Sequence, residues 1–348
     1  MIIALDATPL SVPTGGVMRY TSELARALAA NNPADQYWLL SDQPFTMPAG
    51  APANLQEGDG PRSAAERRWW LWGLEREMMR RGVELFHGTD FSVPYIPRRP
   101  SVMTLHDLSP WIKGSFGQTP SPRLRSRVPL LLRAHIPTMI ITPSEVMKRA
   151  AISRFGLDSA HVTAVPHAAS SHFRPVDAPP PARPYFLFVG TLEPRKNIHR
   201  LIEAWKEVRK TQKIDLVLAG RAREGFSVPE EPGLRVLDMV PEQDLPALYS
   251  SAAACVYPSL YEGFGLPVLE AMQCGATVIT SNDPAILEVS GGAAIHVDAT
   301  DVRALAEAMC ARPNRREESL RRAAQFSWAM TARKTREVYD AARRFFGK

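Results

Sequence analysis

Two carboxylates eight residues apart, Glu262 and Glu270, bracket a glycine-bearing turn in residues 257–280, YPSLYEGFGLPVLEAMQCGATVIT. Gly263 and Gly265 let the backbone approach a ligand closely. The amides of Gly265 and Leu266 fall where a short helix should begin, opened by Pro267 and closed by Gly275. Unpaired N–H groups and the positive end of the helix dipole favour an anion there, such as a pyrophosphate. Glu270, about one turn further in, is placed to accept hydrogen bonds from a sugar on that anion, and Glu262 sits across the loop. Carboxylates repel a bare phosphate but suit hydroxyl groups, so the local chemistry suggests a nucleotide sugar. Strand–loop–helix units also occur where nothing binds, and the turn alone leaves both readings open.

A second anion site is suggested by residues 190–197, G-T-L-E-P-R-K-N. It too joins a strand to a helix, beginning at Gly190. Arg195 and Lys196 stand directly before the helix, where positive charge opposes the dipole. Residues unhelpful to local folding are candidates for function, and the competing reading is two solvated charges. His106 and Asp107 follow the apolar run 102–105, and Gly15 and Gly16 follow the run 2–6. His87, His135 and His199 read as structural. The first turn is T-G-G-V-M-R-Y rather than GxGxxG, so no dinucleotide fingerprint is present. Cys255, Cys274 and Cys310 form no CxxC or metal-ligand spacing, which fits a reducing cytoplasm. No DxD-like motif ends a strand. Neither a cofactor nor a metal is expected.

These groups need scaffolds, and the chain of 348 residues has the length for two. Apolar runs at 2–6, 37–41, 83–87, 102–105 and 139–142 alternate with helical stretches such as 17–30. Alternation of this kind predicts a parallel sheet with helices on both faces and ligands at the carboxyl ends of strands. Residues 168–184, rich in proline and alanine, have a linker's composition. A second series follows, with strands at 185–190, 214–219, 235–240, 253–257, 276–280 and 294–297. Residues 327–346 read as a helix with Trp328, Val338 and Phe345 as docking points. The expected fold is α/β, with two Rossmann-like domains facing across a crevice: 1–175, 176–326, and a terminal helix over 327–348.

Residues 1–175 hold 19 Lys and Arg against 14 Asp and Glu, leaving 23 against 22 for the rest. Any basic face therefore belongs to the first half. Arg67-Arg68-Trp69-Trp70-Leu71-Trp72, continuing to Met78-Met79-Arg80-Arg81, mixes cations with large apolar groups. So do Arg123, Arg125, Arg127 and Arg133 around Val128 and residues 130–132. Such mixtures suit an anionic bilayer surface, and equally a packed helix with solvated arginines. Nucleic acid is not expected, since no binding motif accompanies the charge. Residues 1–10 read as a first strand rather than a signal peptide. No uncharged apolar window is long enough to span a membrane.

E-G-F-G-L-P-x-x-E-A-M resembles the signature of retaining GT-B glycosyltransferases of family 4. G-T-L-E-P-R-K-N and L-F-H-G-T-D-F are similar to bacterial mannosyltransferases of surface polysaccharide synthesis. The resemblance implies the GT-B architecture, with the terminal helix returning to the first domain. It implies donor binding by Gly15, Gly16, Gly190, Arg195, Lys196, Gly263, Phe264, Gly265, Leu266 and Glu270. His106, Asp107, Arg195, Lys196 and Glu262 would be catalytic, with the cations on the donor diphosphate and His106 meeting the donor sugar. The sequence departs from many members in having Thr191 where an arginine follows the strand's glycine. The implied reaction moves a hexose, mannose from GDP-mannose first, to a glycan or polyprenyl-diphosphate-linked glycan, without metal. UDP-glucose and dTDP-rhamnose are the alternative donors. The implied place is the cytoplasm, with peripheral contact to an anionic inner membrane. On this reading removal of Glu270 should weaken free nucleotide, and removal of Glu262 should lower turnover while leaving nucleotide affinity nearly unchanged.

Overall fold

The computed structural model describes residues 1–12, 15–112 and 122–347; the side chains of residues 122 and 123, and so that of Arg123, lie outside the described set. The chain divides into two units. The first contains the described residues of Met1–Trp111, Thr119–His167 and Ser327–Lys348, and the second those of Ile112–Gln118 and Ala168–Phe326.

The first unit is built on seven parallel strands: β1 (Ile2–Asp6), β2 (Gln36–Leu40), β3 (Leu55–Glu57), β4 (Leu85–Gly88), β5 (Ser101–Thr104), β6 (Met139–Thr142) and β7 (Val162–Ala164). Their spatial order is β3-β2-β1-β4-β5-β6-β7. The direction of strand addition reverses between β1 and β4, the switch point at which open parallel sheets leave a crevice for ligands. β4, β5 and β6 are buried along their whole length, as near-continuous apolar runs require. The helix Gly16–Asn31 buries Tyr20, Leu24, Ala25 and Leu28 against this sheet's core.

The last helix, Trp328–Phe345, belongs to this first unit and buries Thr331, Ala332, Thr335, Val338, Tyr339 and Ala342. Ser327 caps it by accepting from the Met330 amide at 3.2 Å. Three polar ties fix it to the unit. The Tyr339 hydroxyl meets His87 Nδ1 at 2.7 Å, and Thr331 Oγ1 donates to the Pro166 carbonyl at 2.7 Å. Arg336 Nε donates at 2.6 Å to Asp35, which also receives the Met1 amino group at 2.7 Å. Val338 is a docking point, whereas Phe345 stays 37% exposed. His87 is structural: its other nitrogen meets Thr104 Oγ1, and burial lowers its pKa to about 3.

The second unit has six parallel strands: β8 (Tyr185–Val189), β9 (Asp215–Ala219), β10 (Leu234–Leu237), β11 (Ala254–Tyr257), β12 (Val278–Ser281) and β13 (Ile295–Val297). They run in the order β10-β9-β8-β11-β12-β13, so the switch point lies between β8 and β11. The helix Ile198–Arg209 buries Leu201, Ala204, Trp205 and Val208 at the spacing that keeps one face inward. The proline- and alanine-rich stretch does not all behave as a linker. Phe173 is fully buried in the second unit's core, and Gln273 Nε2 donates to the carbonyls of Ser170 and Phe173. One large aromatic ring is enough to pull this part of the segment onto the unit.

Candidate active site

In the second unit the loops after β8 and β11 leave the sheet side by side at the switch point. Gly190 has φ 145° and Gly220 φ 151°; a Cβ on Gly220 would lie 2.0 Å from the Gly190 carbonyl oxygen. The tight crossing directs the chain into one 3₁₀ turn, Pro194–Lys196, followed by Asn197 in the left-handed region at φ 60°. The buried Asn197 amide donates to the carbonyls of Pro258 at 3.0 Å and Ala299 at 2.6 Å. The Leu260 amide donates to the Arg195 carbonyl at 2.9 Å. Backbone and side chain thus lock the two loops together.

The charged side chains converge in consequence. Arg195 Nη1 donates to Glu262 Oε2 at 3.0 Å and to the Tyr261 carbonyl at 2.9 Å. Its Nε and Nη2 reach Glu193 Oε1 at 3.1 and 2.9 Å. Lys196 Nζ donates to Glu262 Oε1 at 2.5 Å. Glu193 Oε2 takes a further bond from Arg223 at 3.0 Å. Burial by itself would push the Glu262 carboxyl up, but Lys196 and then Arg195 outweigh it and hold the pKa down to about 2. The Arg195 and Lys196 side chains are each 13% exposed. They are gathered on a carboxylate rather than solvated.

Gly265 has φ 97° and stands at the amino end of the helix Leu266–Gln273, with Pro267 in the first turn. The first amides of that helix lie outside its own hydrogen-bond ladder. Glu270 is buried at 1% exposure and accepts the Tyr249 hydroxyl at 3.0 Å. The structure therefore brings Gly190, Arg195, Lys196 and Glu262 together beside Gly263, Phe264, Gly265 and Leu266, with Glu270 beneath them.

Three residues that hold this cluster carry only faint sequence signals. Glu193 lies before a proline, and Asn197 is one of the few residue types tolerated in the left-handed region. Asp283-Pro284 is a helix start. Asp283 Oδ1 accepts from the Ala285 and Ile286 amides, and Oδ2 from the Glu262 amide at 3.3 Å.

In the first unit His106 follows β5. Its Nε2–H donates to the Thr89 carbonyl at 2.7 Å, since a carbonyl can only accept. Tyr20, Phe91 and His167 pack around the ring at centroid distances of 4.8, 6.1 and 5.6 Å. Burial lowers its pKa, leaving a neutral ring whose Nδ1 accepts. Asp107 does not hold that ring: Oδ1 accepts from the Ser109 amide at 2.9 Å and hydroxyl at 2.7 Å, fixing the following loop. Gly15, at φ 134°, precedes the helix Gly16–Asn31, and a Cβ on Gly15 or Gly16 would meet nothing within 4 Å. Two further carboxylates end strands here. Burial raises Asp6 to about 7, against the Thr8 amide hydrogen bond. It raises Asp90 to about 6, with Asp107 adding to the rise and Arg127 opposing it.

Residues 14–173 match the family model described as Glycosyltransferase Family 4, and residues 183–312 match Glycosyl transferases group 1. The chain belongs to the group 1, or family 4, glycosyltransferases. O-antigen chain mannosyltransferase B of Escherichia coli is 28% identical over an alignment 386 positions long, spanning 97% of this chain and 99% of that protein. Glycogen synthase of Mycobacterium tuberculosis is 27% identical over 402, spanning 99% and 95%. Sucrose-phosphate synthase from Thermosynechococcus elongatus superposes with a TM-score of 0.73 at 20% identity, covering 97% of this chain and 98% of that one. The fold of this glycosyltransferase is accordingly GT-B.

Proposed function

We propose that this glycosyltransferase moves mannose from GDP-mannose to a glycan or polyprenyl-diphosphate-linked glycan, with retention at the anomeric carbon and without metal. The observation that carries the reading is the pair of half-buried cations, Arg195 and Lys196, held at the switch point beside a helix amino end. Cleavage of the donor builds negative charge on the departing diphosphate. A lysine, an arginine and free helix amides are preorganised donors for that charge. For the diphosphate to reach the cations it must displace Glu262 as their counter-ion. Glu262, once released, accepts hydroxyls of the transferred hexose, and Glu270 serves the nucleotide end. His106 keeps the role that the family resemblance assigns it toward the transferred sugar, and Asp107 orients the loop that follows it. Two cations here take the part a metal plays elsewhere.

Mannose rests on the likeness to O-antigen chain mannosyltransferase B along nearly the whole of both chains. A glucosyl donor is the second reading, favoured by the similar identity to a glycogen synthase. A cytoplasmic reaction is inferred from the free Cys255, Cys274 and Cys310, which suit a reducing compartment. No described helix is long and apolar enough to cross a membrane. The exposed Trp72, Met79 and Leu130 among exposed Arg67, Arg68, Arg125 and Arg133 support peripheral contact with an anionic bilayer.

A thermal-shift screen of GDP-mannose, UDP-glucose and dTDP-rhamnose, followed by NMR of the product's anomeric proton, tests the reading. Stabilisation by GDP-mannose above the other two is expected, with an axial product linkage. No stabilisation by any nucleotide sugar, and no transfer, would sink it.

A further inference from the structure

The first unit's sheet has its own switch point, between β1 and β4, and the loop leaving β4 there is unusually constrained. Gly88 has no room for a side chain, since a Cβ would lie 1.4 Å from the Ser92 carbonyl oxygen. Phe91 is held at φ 52°, a conformation costly for a non-glycine residue. Its amide donates to the Thr104 carbonyl at 3.1 Å, Thr89 Oγ1 donates to the Asp6 carbonyl at 2.7 Å, and the Thr89 carbonyl holds His106. Asp90 sits between these anchors on a loop with little freedom to move.

Its carboxylate has no hydrogen-bond partner among the described residues. Asp90 is half-buried, and among those residues no ion pair reaches it; the charged groups it is coupled to are Asp6, Asp107 and Arg127. Arg127 is in the complementary position. Its Nη1 donates to the Tyr95 hydroxyl at 3.0 Å, and its Nε is buried without an acceptor. The guanidinium also lies 5.9 Å from the Tyr95 ring centroid. An unpaired acceptor is costly, and the cost is recovered when a ligand donates to Asp90 and accepts from the half-exposed Arg127.

The ligand's chemistry follows from the charges. Asp107 and Asp42 carry like charge near Asp90 or near Asp6, so a phosphate would be repelled. A neutral polyol is not: its hydroxyls donate to a carboxylate and accept from a guanidinium. We propose that Asp90 and Arg127 recognise the sugar unit of the acceptor, one ring hydroxyl donating to Asp90 and a neighbouring one accepting from Arg127. The proposal rests on the glycosyltransferase reading above and adds the acceptor side to it.

The test uses the full chain and no donor. Methyl α-mannoside, methyl α-glucoside and methyl α-N-acetylglucosaminide are titrated at pH 7.5 by saturation-transfer NMR, against the wild type, Asp90→Asn and Arg127→Gln. The wild type should bind at least one glycoside, and each variant should bind it at least tenfold more weakly. An unchanged far-UV circular dichroism spectrum and urea midpoint certify that the variants are folded, and GDP affinity, which belongs to the other unit, should be unchanged. Equal glycoside affinity in all three proteins, or none in the wild type, would overturn the proposal. Loss of inorganic phosphate binding in Arg127→Gln would overturn it in favour of an anion site. Glycoside binding by a wild type that turns over no nucleotide sugar would leave this inference standing and remove the donor reading instead.

Discussion

Glu262→Gln should destabilise the protein and, at the same time, tighten its grip on GDP. Glutamine keeps the volume and removes the charge that Lys196 and Arg195 share. Those partners lower the Glu262 pKa from 4.5 to about 2 against the cost of burial. At about 1.4 kcal/mol per pKa unit, the ionised carboxylate contributes roughly 3 kcal/mol to folding at neutral pH. The group's folded pKa is depressed, so this contribution is present above pH 4.5 and fades as the pH falls toward 2. Arg195 retains Glu193 and the Tyr261 carbonyl, whereas Glu262 is the acceptor of the Lys196 ammonium. Most of the loss should therefore come from an uncompensated, largely buried lysine.

GDP supplies the missing counter-charge. In the wild type the diphosphate must displace Glu262, and in the variant it need not. Part of that 3 kcal/mol should then appear as affinity, about tenfold to a hundredfold at 1.4 kcal/mol per decade. Urea unfolding at pH 7 and pH 3 measures the first effect, and isothermal calorimetry with GDP the second. Turnover should fall even as GDP binds better, because the hexose loses a carboxylate. Weaker GDP binding in Glu262→Gln, or unchanged stability at pH 7, would refute the counter-ion argument. The geometry here departs from the expectation that Glu262 is indifferent to free nucleotide. That expectation treats the glutamate and the cations as separate contacts, and they are one cluster.

Three further outcomes are expected. Transfer should persist in excess EDTA, and complete loss restored by manganese would show that the two cations do not suffice. Glu270→Ala should weaken GDP binding by about tenfold or more and leave the Tyr249 hydroxyl buried without its acceptor, costing roughly 1–3 kcal/mol of stability by urea titration. Asp6→Asn should gain stability over the wild type as pH rises. The folded pKa of about 7 lies above the ordinary 3.8, so what Asp6 contributes below pH 3.8 is lost as the pH climbs through 7, at most about 4 kcal/mol. A difference between the two proteins that does not vary with pH would contradict this.

Much of the fold was legible because its strands are short apolar runs punctuated by glycine and proline, a pattern that parallel sheets impose by burying both faces. The two strands that escape, β3 and β7, are three residues long and lie at the sheet edge. Edges pair on one side only, so little periodicity marks them. The extent of the linker was hidden by a single residue, Phe173, whose burial depends on a surface that composition does not describe. In the site, the glycines and charges were legible as types, but their pairing was not. Nothing local says that Arg195 and Lys196 close on Glu262, because that contact is made by the parallel register of β8 against β11. Asp90 was legible only as part of L-F-H-G-T-D-F, because the anchoring of its loop to β5 and β1 is made in three dimensions.

Several positions that break local rules share one location. Asn197 and Phe91 adopt left-handed backbone, Glu262 and Asp90 are desolvated carboxylates, and two cations precede a helix amino end. All follow the carboxyl ends of strands at or beside the two switch points. Each is unfavourable alone and tolerated because neighbours over-determine it. The cations show this most directly. Placed before the helix Ile198–Arg209 they oppose its dipole, and they remain there because Glu193 and Glu262 neutralise them. A site that must hold positive charge for an anionic ligand cannot leave that charge bare when the ligand is gone. On the proposed reading Glu262 would have two duties that alternate: it stabilises the empty protein, and it would give way to the diphosphate when the donor enters.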